Sequence, residues 1–117
     1  MTVRECYEAM GANYEDVEAR LRTEERIQKF LLRVLNDSSY DLLCTSMEAR
    51  NMSEAFRAAH TIKGICQNLS LDRLYESSHA LAELLRDRQE YGADLEPALE
   101  KVKEDYQMTI QCIRQLL

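Results

Sequence analysis

The sequence predicts an all-α protein: an antiparallel up-down-up-down four-helix bundle with additional N-terminal helices. Apolar residues recur at spacings of three and four along most of the chain, and no stretch shows the period of two that marks a strand. The 117 residues include only three Gly and one Pro, so few positions interrupt a helix. Because the predicted turns are short, consecutive helices are expected to be antiparallel neighbours.

A single domain is predicted over residues 1–117, with covering helices in residues 1–36 and the bundle in residues 37–117. Four signals start or end helices in the first segment. They are the capping box of Thr2 and Glu5, the C-terminal stop Gly11, and the N-caps Asn13 and Thr23. The polar cluster at 36–38 is typical of either a turn or a kink within one long helix, and the sequence leaves both open.

Four helices are predicted in the second segment, each preceded by a capping residue or a tight turn. The predicted bounds are 40–50, 53–69, 72–89 and 94–117. Ser53, Asp72 and Asp94 are the expected N-caps of the last three helices. Pro97 falls in the first turn of the last helix, where proline is tolerated. The apolar positions of that helix, as far as Leu117, are expected to face the core.

Composition excludes several classes of protein. The formal net charge is −6 at pH 7, which argues against a general nucleic-acid-binding protein because such proteins need a basic surface. No run approaches the roughly 18 apolar residues of a membrane span, and the N-terminus is too polar for a signal peptide. Four cysteines, at positions 6, 44, 66 and 112, lack metal-ligand or redox spacing and are interpreted as free thiols. These features predict a cytoplasmic protein that binds neither nucleic acid nor membranes.

The chain is organised around the predicted helix at 53–69. At about 100° per residue, its apolar side chains fall within about 60° of Ile62. Those side chains are Ala55, Ala58, Ala59, Ile65, Cys66 and Leu69. His60 lies about 160° away, on the face expected to meet solvent. The residues that share its side are Ser53, Lys63, Gly64 and Gln67, with Phe56 at the edge.

Gly64 and Lys63 indicate phosphoryl chemistry at His60. A glycine inside a helix costs about 1 kcal/mol relative to alanine, and nothing here needs to bend. The simplest reason for Gly64 is access, since it removes a side chain from beside the imidazole. Lys63, three residues after His60, adds a cation on the same face. An exposed imidazole with a clear approach and an adjacent positive charge suits a histidine that accepts and gives up a phosphoryl group.

The run His60-Thr61-Ile62-Lys63-Gly64, followed by Asn68-Leu69 and Leu71, resembles the histidine-containing phosphotransfer (HPt) domain. The likeness extends over about residues 13–117, because the flanking helical pattern also fits. The short core motif is fairly specific inside an all-helical chain of this length.

Two positions depart from the HPt pattern. Gln67 stands where a small residue is common, and it is expected either to hydrogen-bond the imidazole or a phosphoryl group, or to restrict the partners that approach. Ser70 stands where a glycine is common, at a helix end where several residue types fit. Phe56 belongs either to the packed edge or to a docking patch with Ser53, and docking is favoured because a transient partner buries an apolar spot beside a reactive residue.

By resemblance, the chain is expected to relay a phosphoryl group between aspartates of receiver domains in a two-component phosphorelay. The resemblance implies a phosphohistidine at His60, with Lys63 stabilising phosphoryl charge and Gly64 giving access. It implies response-regulator receiver domains, a hybrid histidine kinase, or both as partners, with Mg²⁺ on the receiver and no cofactor on this chain. No Gly-rich phosphate loop or kinase signature is present, so a carrier rather than an enzyme is expected. A monomer is expected.

Two other functions remain as alternatives. A helical adaptor of the same fold would bind receiver domains without carrying a phosphoryl group, but it would have no need for the histidine. A metal enzyme is suggested only by Glu76 and His79, an i, i+3 pair of the kind found in di-iron bundles. Such a site needs a second copy that this chain lacks, so no metal is expected, and His79 is interpreted as a half-buried packing residue.

Overall fold

The computed structural model describes residues 1–117 and contains seven α-helices and no strand, which confirms the predicted all-α class. The helices are α1 (Val3–Met10), α2 (Tyr14–Leu21), α3 (Glu24–Val34), α4 (Ser39–Glu48), α5 (Met52–Leu69), α6 (Asp72–Leu85) and α7 (Leu95–Arg114). None of these helices is both long enough and apolar enough to cross a membrane.

The N-terminal helices begin and end at the residues that the sequence indicates. Thr2 and Glu5 form the predicted capping box, in which Thr2 Oγ1 accepts the Glu5 N–H at 3.0 Å. Gly11 ends α1 in the left-handed conformation, with φ 63°. Asn13 and Thr23 cap α2 and α3 as predicted.

The predicted caps of α5 and α6 are wrong. Asn51, not Ser53, caps α5, because its side-chain oxygen accepts the Glu54 N–H at 3.2 Å. Asp72 is the first residue of α6 rather than its cap. Leu71 holds the cap position and makes no side-chain cap bond, because its side chain is apolar and buried and has no acceptor to offer.

The connection between α6 and α7 also differs from the prediction. α6 ends at Leu85 instead of near Gln89, because Arg86 leaves the helical conformation at φ −59° and ψ 125°. Asp94 precedes α7 as predicted but does not cap it, since its carboxylate binds the Arg88 guanidinium at 2.7 and 2.9 Å. Residues 86–89, which follow the end of α6, lie beside the N-terminal half of α5.

Helix α5 is central to the packing, with α4 on one side and α6 on the other. α6 packs in turn against α7, which also contacts α1 and α3. Phe56 near the start of α5 contacts Arg86 just after α6, so these two helices run antiparallel. α3 ends before α4 begins, so the cluster at 36–38 is a turn between two helices rather than a kink within one.

A single cluster of 30 buried apolar residues forms the core. The predicted apolar stripe of α5 is buried, except that Ile65 is half-buried. On α7, Asp105 and Thr109 are each 2% exposed and lie outside the predicted apolar set. Leu117 is 83% exposed and lies beyond the end of α7, so its predicted inward orientation is wrong.

Candidate functional site

His60 is exposed near the middle of α5, which is 18 residues long. The opposite face of the same turns is closed, because Ala58, Ala59 and Ile62 are at most 5% exposed. Packing of this face fixes the backbone of the helix against its neighbours. The imidazole is therefore presented to solvent from a rigid support.

Gly64 leaves open space one turn after His60. A Cβ added at Gly64 would meet no atom within 4 Å, so no neighbouring side chain or backbone requires a glycine there. Its backbone is helical, and no positive φ calls for glycine either. The remaining effect of Gly64 is that no side chain projects from the surface beside His60.

Lys63 is half-buried and lies near Glu83 of α6. The pKa of the Glu83 carboxyl is lowered, first by the hydrogen bond from Arg86 and then by the charges of Arg86, His79 and Lys63. The main partner of the Glu83 carboxylate is therefore the Arg86 guanidinium, which donates a hydrogen bond to it at 3.0 Å. The predicted role of Lys63 toward a phosphoryl group at His60 stays a prediction.

Phe56 stacks against the imidazole of His60. The two ring centroids are 5.7 Å apart, and the planes differ by 24°. The Arg86 guanidinium carbon lies over the Phe56 ring, 5.1 Å from its centroid. Phe56 is half-buried, so it packs against the core and also presents part of its ring beside His60.

An open depression of about 470 Å³ extends from His60 toward the connection after α6. Its walls are Ser53, Phe56, Arg57 and His60 of α5, and residues 85–89. Three arginines and one aspartate line it. Each arginine has an acidic partner: Arg57 binds Glu54 at 3.4 Å, Arg86 binds Glu83 at 3.0 Å and Arg88 binds Asp94 at 2.7 Å.

A second depression, of about 370 Å³, lies on the other side of His60 along α5. It is lined entirely by polar residues and glycine: Arg20, Gly64, Gln67 and Asn68. Gln67 is two turns from His60, and no hydrogen bond joins these two side chains. The sequence-predicted residues Gly64 and Gln67 therefore share one surface, whereas Ser53 and Phe56 share the other.

Helix α2 supports the C-terminal end of α5. The Arg20 guanidinium donates hydrogen bonds to the carbonyl oxygens of Gln67 at 3.2 Å and Asn68 at 2.9 Å. Carbonyls in the last turn of a helix have no partner within the helix, so Arg20 satisfies them from outside. Ser70 ends α5 with a left-handed backbone (φ 56°), the conformation that glycine adopts most readily.

Sequence reasoning missed Arg86, Arg57 and Arg20 as members of this surface. Arg57 lies three residues before His60, so helical spacing alone was enough to find it. Arg86 and Arg20 are distant in sequence and reach α5 only because α6 returns antiparallel and α2 packs at its end. No local pattern marks such residues.

His79 lies on α6 near Glu83 and is half-buried. Its ring is parallel to that of Tyr75 within 5°, with the centroids 5.7 Å apart. Its Nδ1 is buried and has no hydrogen-bond partner. No group of three or more His, Cys, Asp or Glu side chains is arranged to hold a metal ion.

Comparison with protein families matches the chain to the family described as "Hpt domain" over residues 23–112. The matched segment runs from the start of α3 into the last turns of α7 and contains His60, Lys63 and Gly64. Neither the curated proteins nor the solved structures give a match.

Proposed function

Because the chain belongs to the Hpt domain family and so takes part in histidine phosphotransfer, we propose that it relays a phosphoryl group between aspartates of receiver domains. The group is carried as phosphohistidine at His60. The observation that supports this most directly is the exposed imidazole beside the open surface at Gly64. A large partner has room to bring an aspartate to this ring.

The transfer is an exchange between nitrogen and oxygen on phosphorus. A ring nitrogen of neutral His60 attacks the phosphorus of a receiver's aspartyl phosphate. The N–P bond forms as the P–O bond to the aspartate breaks, the aspartate leaves as a carboxylate, and the other ring nitrogen loses its proton to water. The reverse exchange passes the group to the aspartate of a second receiver.

The side chains around His60 have separate roles in this proposal. Lys63 neutralises part of the charge on the phosphoryl oxygens as a point charge. Gln67 contacts the partner or the phosphoryl group on one side, and Phe56 and Ser53 contact the partner on the other. Mg²⁺ belongs to the receiver, and this chain contributes no cofactor.

The partners are response-regulator receiver domains, a hybrid histidine kinase, or both. We propose that the protein is a cytoplasmic monomer that carries the phosphoryl group without making phosphohistidine from ATP. An adaptor that only binds receivers is the alternative. Replacement of His60 by Gln separates the two. A carrier loses phosphoryl relay but keeps receiver binding, whereas an adaptor keeps receiver binding and shows no relay with or without His60.

Incubation with phosphoramidate, a small donor that needs no partner, tests the carrier function directly. Intact-mass measurement should show one acid-labile, base-stable phosphoryl adduct on the wild type and none on the His60→Ala variant. An adduct on both proteins would move the site to His79 and contradict the assignment. No adduct on the wild type would make the adaptor the leading hypothesis.

A further inference from the structure

A line of contacts joins Glu83 of α6 to His60 of α5. Glu83 Oε1 accepts a hydrogen bond from Arg86 Nη2 at 3.0 Å, and both side chains are 47% exposed. The Arg86 guanidinium lies 5.1 Å from the centre of the Phe56 ring, which is itself 5.7 Å from the centre of the imidazole. The position of Arg86 beside the site therefore depends on a carboxylate as well as on an aromatic ring.

The charge of Lys63, on the other side of His60, also acts on Glu83. The charge of Lys63 contributes to the lowered pKa of Glu83, after the larger effect of Arg86 and together with His79. Arg86 lies toward the start of α5 from His60, and Lys63 lies toward its end. Glu83 thus binds Arg86 directly, and the charge of Lys63 adds a smaller effect without an ion pair.

The other arginines of the depression are placed differently. Arg88 is held by both carboxylate oxygens of Asp94, at 2.7 and 2.9 Å, and bonds of this bidentate kind are strong. Arg57 faces Glu54 at 3.4 Å, and its side chain is 72% exposed. Arg86 is the arginine that combines a single carboxylate bond with the stack on Phe56 beside the imidazole.

We infer that Glu83 is the resident counter-ion of the phosphoryl site, an inference that rests on the proposed function. While His60 is unmodified, Glu83 holds Arg86 beside the ring. Once His60 is phosphorylated, Arg86 turns to the phosphoryl oxygens, and Glu83 is left facing a second anion. Glu83 thereby weakens the hold of the site on the phosphoryl group and favours its onward transfer.

The direction of this exchange follows from charge. A phosphoryl group carries up to about two negative charges near neutral pH, against one on a carboxylate. A guanidinium binds either oxyanion through paired N–H donors, so the group with more charge and more acceptor oxygens competes well for it. The same geometry that keeps Arg86 ready also places an anion near the product.

A ³¹P NMR titration of the phosphorylated protein tests this arrangement. Neighbouring cations favour the dianionic phosphoryl group, and neighbouring anions oppose it. We expect Arg86→Ala to lower the acid dissociation constant of the phosphoryl group about twofold to fivefold, and Glu83→Gln to raise it by a similar factor. Phosphoramidate loads each protein: its P–N bond breaks as the imidazole N–P bond forms, and ammonia leaves with the ring proton.

The Glu100–Lys103 pair of α7 provides a matched control, because it has the same i, i+3 spacing and does not line the depression beside His60. Glu100→Gln and Lys103→Ala should change the acid constant clearly less than the α6 variants do. Equal changes in both pairs would mean a general surface-charge effect and would overturn the inference. If Arg86→Ala does not fold, the direction of change in Glu83→Gln decides alone.

The experiment distinguishes a failure of the proposed function from a failure of the role assigned to Glu83. A wild-type protein that takes up no phosphoryl group at His60 would contradict the proposed function and this inference with it. A wild-type protein that is phosphorylated, with Arg86→Ala and Glu83→Gln variants whose acid constants equal that of the wild type, would overturn the role of Glu83 alone.

Discussion

The hydroxyl of Ser70 donates a hydrogen bond to the carboxylate of Asp16 at 2.6 Å, across 54 residues of sequence. It also accepts one from Arg20, so the left-handed end of α5 is held by two charged side chains of α2. Ser70 is only 3% exposed. This explains why a serine is tolerated at a position where glycine is common in the family: its side chain forms bonds that glycine lacks.

Substitution of Ser70 should separate the backbone effect from the hydrogen bonds. Ser70→Ala keeps the cost of a left-handed residue and loses both bonds, so we expect a loss of about 1–3 kcal/mol in the free energy of unfolding. Ser70→Gly loses the same bonds but relieves the backbone, and should be less destabilising by about 1 kcal/mol. Urea denaturation measures both. A glycine variant less stable than the alanine variant would contradict this account.

Asp16 should contribute to stability in a pH-dependent way. Its pKa is lowered, first by the hydrogen bond from Ser70 and then by that from Arg20. A lowered pKa in the folded state gives stability that is complete above the unfolded pKa of about 3.9 and is lost as the pH falls through the folded value. Between pH 5 and 2, Asp16→Asn should therefore lose less stability than the wild type.

Urea denaturation at several pH values in that range measures the effect of Asp16. The Glu8→Gln variant is a suitable control, because Glu8 is exposed on α1 and its side chain makes no ion pair or hydrogen bond. Parallel losses of stability in the wild type and in Asp16→Asn would show that the Ser70 contact is not maintained in solution.

Replacing Gly64 by a residue with a side chain should increase the free energy of unfolding, and a large side chain there should slow phosphoryl transfer. An added Cβ meets nothing within 4 Å, so Gly64→Ala should stabilise the protein by about 1 kcal/mol through helix propensity. Gly64→Gln should keep the fold and slow transfer from a receiver by obstructing its approach. The small donor phosphoramidate needs less space and should be affected less. Unchanged receiver transfer rates in Gly64→Gln would refute the access argument.

Lys63→Ala should reduce the yield or lifetime of phosphohistidine more than it reduces stability. Lys63 lies three residues after His60 on the same helix, and it makes no ion pair within 4.0 Å in the structure. Lys29→Ala, on the exposed surface of α3, controls for the loss of one lysine. Intact-mass time courses and thermal melts measure the two quantities, and equal effects on both would count against an electrostatic role.

The four cysteines should differ sharply in reactivity. Burial raises the pKa of Cys66 to about 12 and that of Cys6 to about 11, so few of these thiols are ionised near neutral pH. Cys112 is also buried, with a raised pKa, whereas Cys44 is partly exposed. Iodoacetamide at pH 7.5 should modify native protein mainly at Cys44 and urea-unfolded protein at all four, as peptide mass mapping would show.

Most of the fold could be predicted because its signals are local. Apolar spacing identifies the buried face of α5, and Thr2, Asn13 and Thr23 each cap the helix that follows them. The errors occur where two capping residues compete or where a distant partner decides. Asn51 precedes Ser53 and takes the cap bond, and Asp94 binds Arg88 in preference to the end of α7.

The candidate site divides in the same way. His60, Lys63 and Gly64 follow from helical spacing within one element, and Phe56 lies one turn before them. Glu83 and Arg86 could not be found from spacing, because Arg86 reaches Phe56 only where α6 returns antiparallel to α5, and Glu83 takes its part in the site through Arg86.

Under the proposed function, the exposed mid-helix position of His60 also affects how long the phosphoryl group stays on the protein. A residue supported by a stiff rod and exposed to solvent has no lid that closes over its product, so water reaches the phosphorus whenever no partner is bound. Spontaneous hydrolysis then limits the lifetime of the phosphohistidine. The phosphoryl group is passed on only if the carrier binds its next receiver before hydrolysis occurs. The concentration of receivers in the cell therefore sets the fraction of phosphoryl groups that are relayed.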